Sequence, residues 1–283
     1  MGFEIKRIPT GVADFDAIIK GGIPAGSVVL LLGDVGAGQQ EYVYTSAAKL
    51  GLVMGRPGLC DYYLGHFCDY HYLPERICYV TFARPKEDIL NEVGMSFNYD
   101  YYRSIREKVI FKDFSSNYFK HSIVPMSWTS HGDDGGSVFA AAAASKEPVL
   151  EALVSFLDGN AANSMIIIDS LTDLVVTKTV QTDDMVAVLR GMQRAAKRWG
   201  GVIYVLLTQG ILEAREQQMV IDSVDGVLVF EWSKYPKTSK RQRFLYIEKF
   251  MSVMPHLEMK RMARFPTMVS AESGLVVNSM EMI

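Results

Sequence analysis

The stretch from Ser27 to Gln40 constrains this chain more than any other part of its sequence. Ser27 opens a run of apolar residues, 28–32, that indicates a buried strand, and glycines at 33, 36 and 38 then indicate a turn. Apolar spacing after Gln40 predicts a helix. The N-terminus of such a helix offers unpaired N–H groups and the positive end of its dipole. The sequence therefore predicts an anion-binding turn between a strand and a helix.

This turn has the glycine spacing of the P-loop pattern G-x-x-x-x-G-K-[ST], whose backbone holds phosphates. In that pattern the Lys reaches the β- and γ-phosphates and the hydroxyl holds Mg²⁺. Here Gln39 stands at the Lys position and Gln40 at the Ser/Thr position. The predicted nucleotide-binding residues are Gly33, Asp34, Val35, Gly36, Ala37, Gly38, Gln39 and Gln40. The turn thus predicts phosphate binding without the two side chains that support hydrolysis.

A second apolar run, residues 165–168, ends in Asp169. This is a Walker B pattern, in which the carboxylate follows a central parallel strand and holds Mg²⁺ or its water. A buried strand that ends in Asp is common, so the interpretation depends on its pairing with the glycine turn. We predict Asp169 as the metal ligand, whereas Asp173 could also be a helix-capping carboxylate.

A more specific pattern precedes the turn. Residues 10–28 read T-G-x-x-x-x-D-x-x-x-x-G-G-I-P-x-G-S-V, and Asp169 is followed by S-L-T-x-L. Together with the glycine turn, these motifs resemble the KaiC-like branch of the RecA superfamily of P-loop ATPases, with a degenerate Walker A motif. The resemblance covers about residues 8–50, 76–95 and 150–277.

The resemblance implies an α/β, RecA-like P-loop NTPase fold. Its central sheet would be mostly parallel and flanked by helices, with antiparallel hairpins near the C-terminus. The chain would form a single KaiC/RecA-like domain over residues 1–283, with insertions near 51–75 and 113–147. We find no internal repeat that would indicate two such domains in tandem.

The resemblance also assigns roles beyond the turn. Thr208 and Gln209 would be sensor-like residues on the γ-phosphate side, and Lys249 would contact the nucleotide of a neighbouring subunit. The acidic pair that activates water in this family is replaced by Ala83 and Arg84. Neither is a general base at neutral pH, so an efficient ATPase is not expected.

Three functions remain open at this point. The first is a nucleotide-binding protein with weak or absent ATP hydrolysis that acts as a signalling, scaffold or assembly subunit. It would bind ATP or ADP, with Mg²⁺ if the metal is bound. The second is an active ATPase with rerouted residues, in which Lys20, Arg84 or Lys249 supplies the cation and Glu41 or Glu87 the base. The third is a RecA-like module, similar to archaeal relatives, that binds DNA or protein without catalysis.

The composition limits the kinds of partner that the chain is expected to bind. The net charge is −3 over 283 residues, so nucleic acid binding would need a local patch, and residues 234–243 supply one. A solvated hairpin is the preferred interpretation of that patch. We expect a protein partner and a homo-oligomer, and no membrane segment, since no apolar run reaches the required length. The chain has three cysteines, and this number predicts a reduced, cytoplasmic protein.

The insertion 51–75 combines aromatic residues with Cys60, His66, Cys68 and His71. Their spacing matches no zinc module, so an aromatic surface or interface loop is preferred to a metal site.

Overall fold

The computed structural model describes residues 6–66, 72–119, 122–125, 128, 148–177, 180–234, 241–256 and 264–278. The strands are β1 (Arg7–Ile8), β2 (Ile23–Pro24), β3 (Ser27–Gly33), β4 (Arg76–Thr81), β5 (Val109–Asp113), β6 (Ser164–Asp169), β7 (Val202–Thr208), β8 (Gly226–Lys234), β9 (Arg241–Phe250), β10 (Phe265–Ser270) and β11 (Gly274–Val277). The helices are α1 (Ala13–Ile18), α2 (Gln39–Gly55), α3 (Cys60–Leu64), α4 (Lys86–Ser96), α5 (Tyr99–Lys108), α6 (Ser115–Tyr118), α7 (Val149–Asn160), α8 (Leu171–Val176), α9 (Thr182–Trp199) and α10 (Ala214–Asp222).

Nine strands form one sheet in the order β11-β10-β9-β8-β3-β7-β6-β4-β5. The strands from β8 to β5 pair in parallel, whereas β9, β10 and β11 add as antiparallel neighbours beyond β8. β3 lies between β7 and β8, so the turn that follows Gly33 leaves the sheet near its middle. In open α/β sheets, ligands bind in the crevice outside the carboxyl ends of the parallel strands.

Each face of the sheet is covered by its own hydrophobic cluster. Alternate residues of β3 divide between them: Val29 and Leu31 lie in the cluster with α1, α2 and α5, and Val28, Leu30 and Leu32 lie in the cluster with α7 and α9. Strands buried on both faces are nearly continuous apolar runs, which explains the sequence of β3 and β6. The two layers fix the position of the glycine turn.

α2 is held by segments from both ends of the described chain. On the N-terminal side, Gly11 has a φ of 82°, which favours glycine, and a Cβ there would lie 3.0 Å from Cα of Ser46. On the C-terminal side, the hydroxyl of Thr45 accepts a hydrogen bond from the backbone N–H of Leu275 at 2.8 Å. A Cβ at Gly274 would meet the same threonine side chain at 2.3 Å. The helix that carries the turn is therefore packed between residues more than two hundred positions apart.

The Asp of the T-G-x-x-x-x-D motif has a structural role in this chain. Both carboxylate oxygens of Asp16 accept a hydrogen bond from the backbone N–H of Thr10 at 2.9 Å. Asp16 is buried, and burial raises its pKa to about 7, while the hydrogen bonds from Thr10 and Gly11 and the charge of Lys49 oppose that shift. The motif thus closes the segment that packs on α2.

The architecture confirms the predicted fold class: a mostly parallel central sheet flanked by helices, with antiparallel strands near the C-terminus. In the segment predicted as an insertion, α2 continues to Gly55 and the short α3 follows before β4. The division into a single domain with insertions remains a prediction. Residues 120–121, 126–127 and 129–147 of the second predicted insertion lie outside the described residues. Over the described part of the chain, none of the helices has the length and apolar character needed to cross a bilayer.

Candidate functional site

The glycine turn opens as a concave run of backbone N–H groups at the start of α2. Gly36 and Gly38 have φ angles of 73° and 124°, in the region that favours glycine. The N–H groups of Val35, Gly36, Gly38 and Gln39 donate to no other described residue. Successive free N–H groups at a helix N-terminus form an anion-binding concavity. The backbone of the turn could therefore hold an anion.

β8 holds the outer side of the turn through three contacts. The backbone N–H of Asp34 donates to the carbonyl of Phe230 at 3.0 Å, and the Asp34 carboxylate accepts the backbone N–H of Trp232 at 3.1 Å. The indole Nε1 of Trp232 then donates to the carbonyl of Val35 at 3.2 Å. The Arg243 guanidinium lies 4.9 Å from the Trp232 ring. These contacts fix the turn against the antiparallel part of the sheet.

Gln39, at the P-loop Lys position, turns inward to the sheet. Its Nε2 donates to the carbonyl oxygens of Leu31 in β3 at 3.1 Å and of Leu207 in β7 at 2.9 Å. The side chain packs so closely on Gly33 that a Cβ there would lie 2.7 Å from Cδ of Gln39. The amide thus bridges two neighbouring strands, and it brings no positive charge to the turn.

Gln40, at the Ser/Thr position, forms a closed group with Asp169 and Tyr79. Gln40 Nε2 donates to Oδ1 of Asp169 at 2.9 Å, and the Tyr79 hydroxyl donates to Oδ2 at 2.6 Å. The same hydroxyl lies 3.3 Å from Oε1 of Gln40. Parallel pairing of β4 with β6 brings these residues together, because it places Tyr79 beside Ile167, two positions before Asp169. Both oxygens of the Walker B carboxylate therefore accept from neutral side-chain donors.

Burial dominates the electrostatics of this group. It raises the pKa of Asp169 above its ordinary value, and the hydrogen bonds from Tyr79 and Gln40 oppose that shift. Burial and the neighbouring Asp169 charge raise the pKa of Tyr79 well above its usual value of 10.0. Tyr79 consequently keeps its proton at physiological pH and remains a hydrogen-bond donor.

A cation lies at the outer end of the same network. Arg84 pairs with Glu92 of α4, and its guanidinium donates to the Tyr44 hydroxyl at 3.4 Å. The Tyr44 ring stacks on Tyr79, with ring centroids 6.2 Å apart and an interplanar angle of 25°. Arg84 follows β4, where the resemblance would place an acidic pair. This position therefore supplies a paired guanidinium and no base.

A small cavity of about 60 Å³ lies beside Asp169. It is lined by Gln39, Gln40, Asp169, Ser170, Thr172, Leu206, Leu207 and Thr208. A water molecule needs about 10–15 Å³ of such volume, so the cavity has room for a few water molecules. The hydroxyl of Thr172 accepts from the backbone N–H of Thr208 at 2.8 Å and lies 3.2 Å from its hydroxyl. The cavity wall is thus polar and hydrogen-bonded.

The structure places the other predicted site residues as follows. Thr208 lines the cavity at the end of β7, and the backbone N–H of Gln209 donates to the carbonyl of Gly33 at 2.9 Å. Lys249 lies away from the cavity. Its Nζ donates to the carbonyl oxygens of Ile221, Asp222 and Val224, at 2.9, 3.1 and 2.8 Å. Within the chain it caps the C-terminus of α10, and its contact with a neighbouring subunit remains a prediction.

The residues proposed for a rerouted ATPase are spread over the surface. Glu41 forms an ion pair with Arg243 at 3.3 Å, and Glu87 is exposed in the first turn of α4. Lys20 is exposed just after α1. Among the described residues, these carboxylates and this lysine form no hydrogen bond or ion pair with the Asp169 group, so this geometry does not assemble a substitute catalytic centre.

The two sequence segments singled out for other partners are described in part. Cys68 and His71 of the insertion lie outside the described residues, as do residues 235–240 of the basic patch. No group of three or more His, Cys, Asp or Glu side chains within the described ranges could hold a metal. Cys60 is disulfide-bonded, and Cys78 is a buried free thiol.

Comparison with known proteins gives the fold. A crystal structure of a KaiC-like protein from the hyperthermophilic archaeon Pyrococcus horikoshii superposes with a TM-score of 0.62, covering 97% of this chain and 99% of that chain. The fold is that of a KaiC-like protein. Sequence identity between the two is 19%, so the likeness concerns the KaiC-like fold and not the ligand or activity.

Sequence comparison is more limited. A UPF0273 protein of Thermotoga maritima is 39% identical over 59 residues, which is 19% of this chain and 22% of that protein. The matched stretch thus spans about a fifth of the relative's length. No family model matches the chain.

Two residues of the site were not identified from the sequence. Tyr79 is an aromatic residue with a polar tip in β4, and β4 pairs with the strand that ends in Asp169. Trp232 lies near the end of β8, the strand next to β3. A tyrosine inside a buried aliphatic strand is a signal that could have been used, because a buried hydroxyl needs a partner.

Proposed function

We propose that this chain is a KaiC-like nucleotide-binding protein with weak or absent ATP hydrolysis. It binds ATP or ADP in the turn from Gly33 to Gln40, and it acts as a signalling, scaffold or assembly subunit. The observation that carries the proposal is the use of Gln39 and Gln40 as structural side chains. One amide bridges β3 and β7, and the other caps the Walker B carboxylate.

The remaining affinity comes from the backbone. Free N–H groups at the start of α2 and the positive end of its dipole still favour an anion. A charge-assisted hydrogen bond contributes about 1.5–3 kcal/mol, and Gln39 supplies none. At about 1.4 kcal/mol for each factor of ten, this lowers affinity by one to two decades. We expect nucleotide binding in the micromolar-to-millimolar range.

Hydrolysis needs a positioned base as well as bound phosphate. Ala83 has no ionisable group, and Arg84 is paired with Glu92. The Asp34 carboxylate within the turn accepts the backbone N–H of Trp232, and Glu41, just after the turn, pairs with Arg243 of β9. General-base catalysis contributes about 10²–10⁴-fold to rate, so its loss alone makes turnover slow.

The experiment combines binding with turnover on the same preparation. Calorimetric titration with ATP and ADP should give a weak, saturable isotherm. Phosphate release should remain at the rate of the buffer blank. Vigorous turnover that Asp169→Ala abolishes would contradict the proposal and favour the active ATPase. Binding that survives replacement of Gly36 and Gly38 by alanine would show that the turn is not the site.

The role as an assembly subunit has its own test. Light scattering on the purified chain, with and without ATP, measures whether it forms a homo-oligomer. A nucleotide-dependent change in mass supports an assembly role, and its absence together with a stable monomer opposes it. A DNA-binding module is a weaker candidate, because two basic residues at the base of the patch, Arg241 and Arg243, lie over the Trp232 ring.

A further inference from the structure

Asp169 has the position of a metal ligand but not the surroundings of one. Its side chain ends β6 beside the turn and is 5% exposed. Oδ1 already accepts from the Gln40 amide and Oδ2 from the Tyr79 hydroxyl, at 2.9 and 2.6 Å. Each carboxylate oxygen thus accepts a hydrogen bond at the position that a bound cation would occupy.

Mg²⁺ requires oxygen lone pairs in a near-octahedral arrangement at about 2.0–2.1 Å, and it gives up its waters reluctantly. Gln40 points its amide nitrogen, which donates hydrogen bonds but cannot ligate a cation, toward Asp169. Its oxygen, the atom that could ligate a cation, lies 3.3 Å from the Tyr79 hydroxyl. The adjoining cavity of about 60 Å³ has room for a few waters.

Packing holds Tyr79 in this arrangement. The residue is 1% exposed, its ring stacks on Tyr44, and Phe111 of β5 lies against it with a centroid separation of 5.6 Å. A ring enclosed in this way cannot move its hydroxyl off Asp169 without opening the core between α2 and the sheet. The Tyr79 hydroxyl that occupies the metal position is therefore held there by the packing of the core.

We propose that Gln40 and Tyr79 close the position beside Asp169 to a divalent cation, with two neutral donors taking the place of the metal. The fold implies a magnesium site here, and the residues present do not fit one. A consequence, which rests on the proposed function, is that a nucleotide in the turn binds without Mg²⁺. Mg²⁺ weakens that binding only by forming a complex with the free nucleotide.

The test of closure uses Mn²⁺ alone as the probe, read by electron paramagnetic resonance with protein in excess. The wild-type chain and Asp169→Asn should leave equal free Mn²⁺ signals. Gln40→Thr with Tyr79→Phe restores a hydroxyl ligand, removes the second donor and keeps the aromatic ring. This pair should lower the free signal, and adding Asp169→Asn should restore it.

A matched control separates closure from general loosening. Gln40→Thr with Tyr44→Phe removes a neighbouring hydroxyl that donates to Glu92 and leaves the Tyr79 donor in place. This control should behave as the wild type. The proposal would be overturned if the wild type bound Mn²⁺ and Asp169→Asn abolished that binding. It would also be overturned if the Tyr79→Phe pair gained no site while its circular dichroism stayed native.

Nucleotide titration in chelator and in Mg²⁺ separates the two proposals. Equal affinity for free nucleotide in both buffers supports metal-free binding, and tightening by about tenfold or more in Mg²⁺ contradicts it. Absence of binding in both buffers would refute the proposed function, whereas the Mn²⁺ result would still decide whether the position is closed.

Discussion

The indole of Trp232 donates its N–H to the carbonyl oxygen of Val35, and this bond ties the exposed tip of the glycine turn to β8. Val35 is 83% exposed, so a ligand in the turn would contact this bond from the solvent side. We predict that ATP changes the fluorescence of the chain through Trp232. In Trp232→Phe the change should disappear while calorimetric binding remains. A change that persists in this variant would place the reporter at Trp128 or Trp199 and contradict the prediction.

Gln39→Lys should raise the affinity for ATP by about 10–100-fold, because it returns one charge-assisted donor to the phosphates. Phosphate release should stay at background, since Ala83 and Arg84 stand after β4 where an acidic pair would be needed to activate water. Gln39→Met is the matched control: it removes the amide bonds to Leu31 and Leu207 without adding charge. Equal affinity gains in both variants, or rapid turnover in the lysine variant, would show that the missing charge is not what limits this site.

Lys249→Met should lower the free energy of unfolding by about 1.5–3 kcal/mol, the range for hydrogen bonds to a charged group. The cause is the loss of three donors to the end of α10, which leaves its last carbonyl groups without their partner. Urea denaturation measures the change, with Glu248→Gln, at an exposed neighbour in β9, as control. An unchanged midpoint together with impaired ATP-dependent assembly would instead support the contact with a neighbouring subunit.

Stability should depend on pH through Asp16. Its pKa is 3.8 in the unfolded reference and about 7 in the fold, where burial outweighs the hydrogen bonds and the charge of Lys49. Between these values the folded chain holds more protons than the unfolded chain. Its contribution to stability is therefore greatest below about pH 4 and falls as pH rises toward 7.

The measurement is a series of urea midpoints across that interval. Asp16→Asn should reduce the decrease of the urea midpoint with rising pH. Asp14→Asn, at an exposed carboxyl group on the same helix, should leave that decrease unchanged. The quantity compared is the slope of the urea midpoint against pH, so a uniform loss of stability in Asp16→Asn does not affect the comparison. An unchanged slope in Asp16→Asn would assign the pH dependence to other carboxyl groups.

The fold was predictable because its signals are local. The apolar run before Gly33 and the run that ends in Asp169 each appear as strands in the structure. Their residues are buried on both faces, so each run of apolar side chains is sufficient evidence for a strand. The glycine turn was likewise visible, since its φ angles require glycine.

The site was less predictable because its contacts join distant parts of the chain. Gln39 reaches Leu207, 168 positions away, and Tyr79 reaches Asp169, 90 positions away. The sequence could show that a lysine and a hydroxyl were replaced. It could not show that the new amides would bond to the sheet and to the carboxylate, because those partners depend on the register of β4, β6 and β7.

The position of α2 limits how the chain can be handled in the laboratory. Ser46 packs against Gly11, and Thr45 bonds to Leu275, so segments near both termini support the helix that begins at the turn. Deleting the segment around Gly11 or the segment around Leu275 would disturb the glycine turn from a distance. Fragments used for binding measurements should therefore keep both segments.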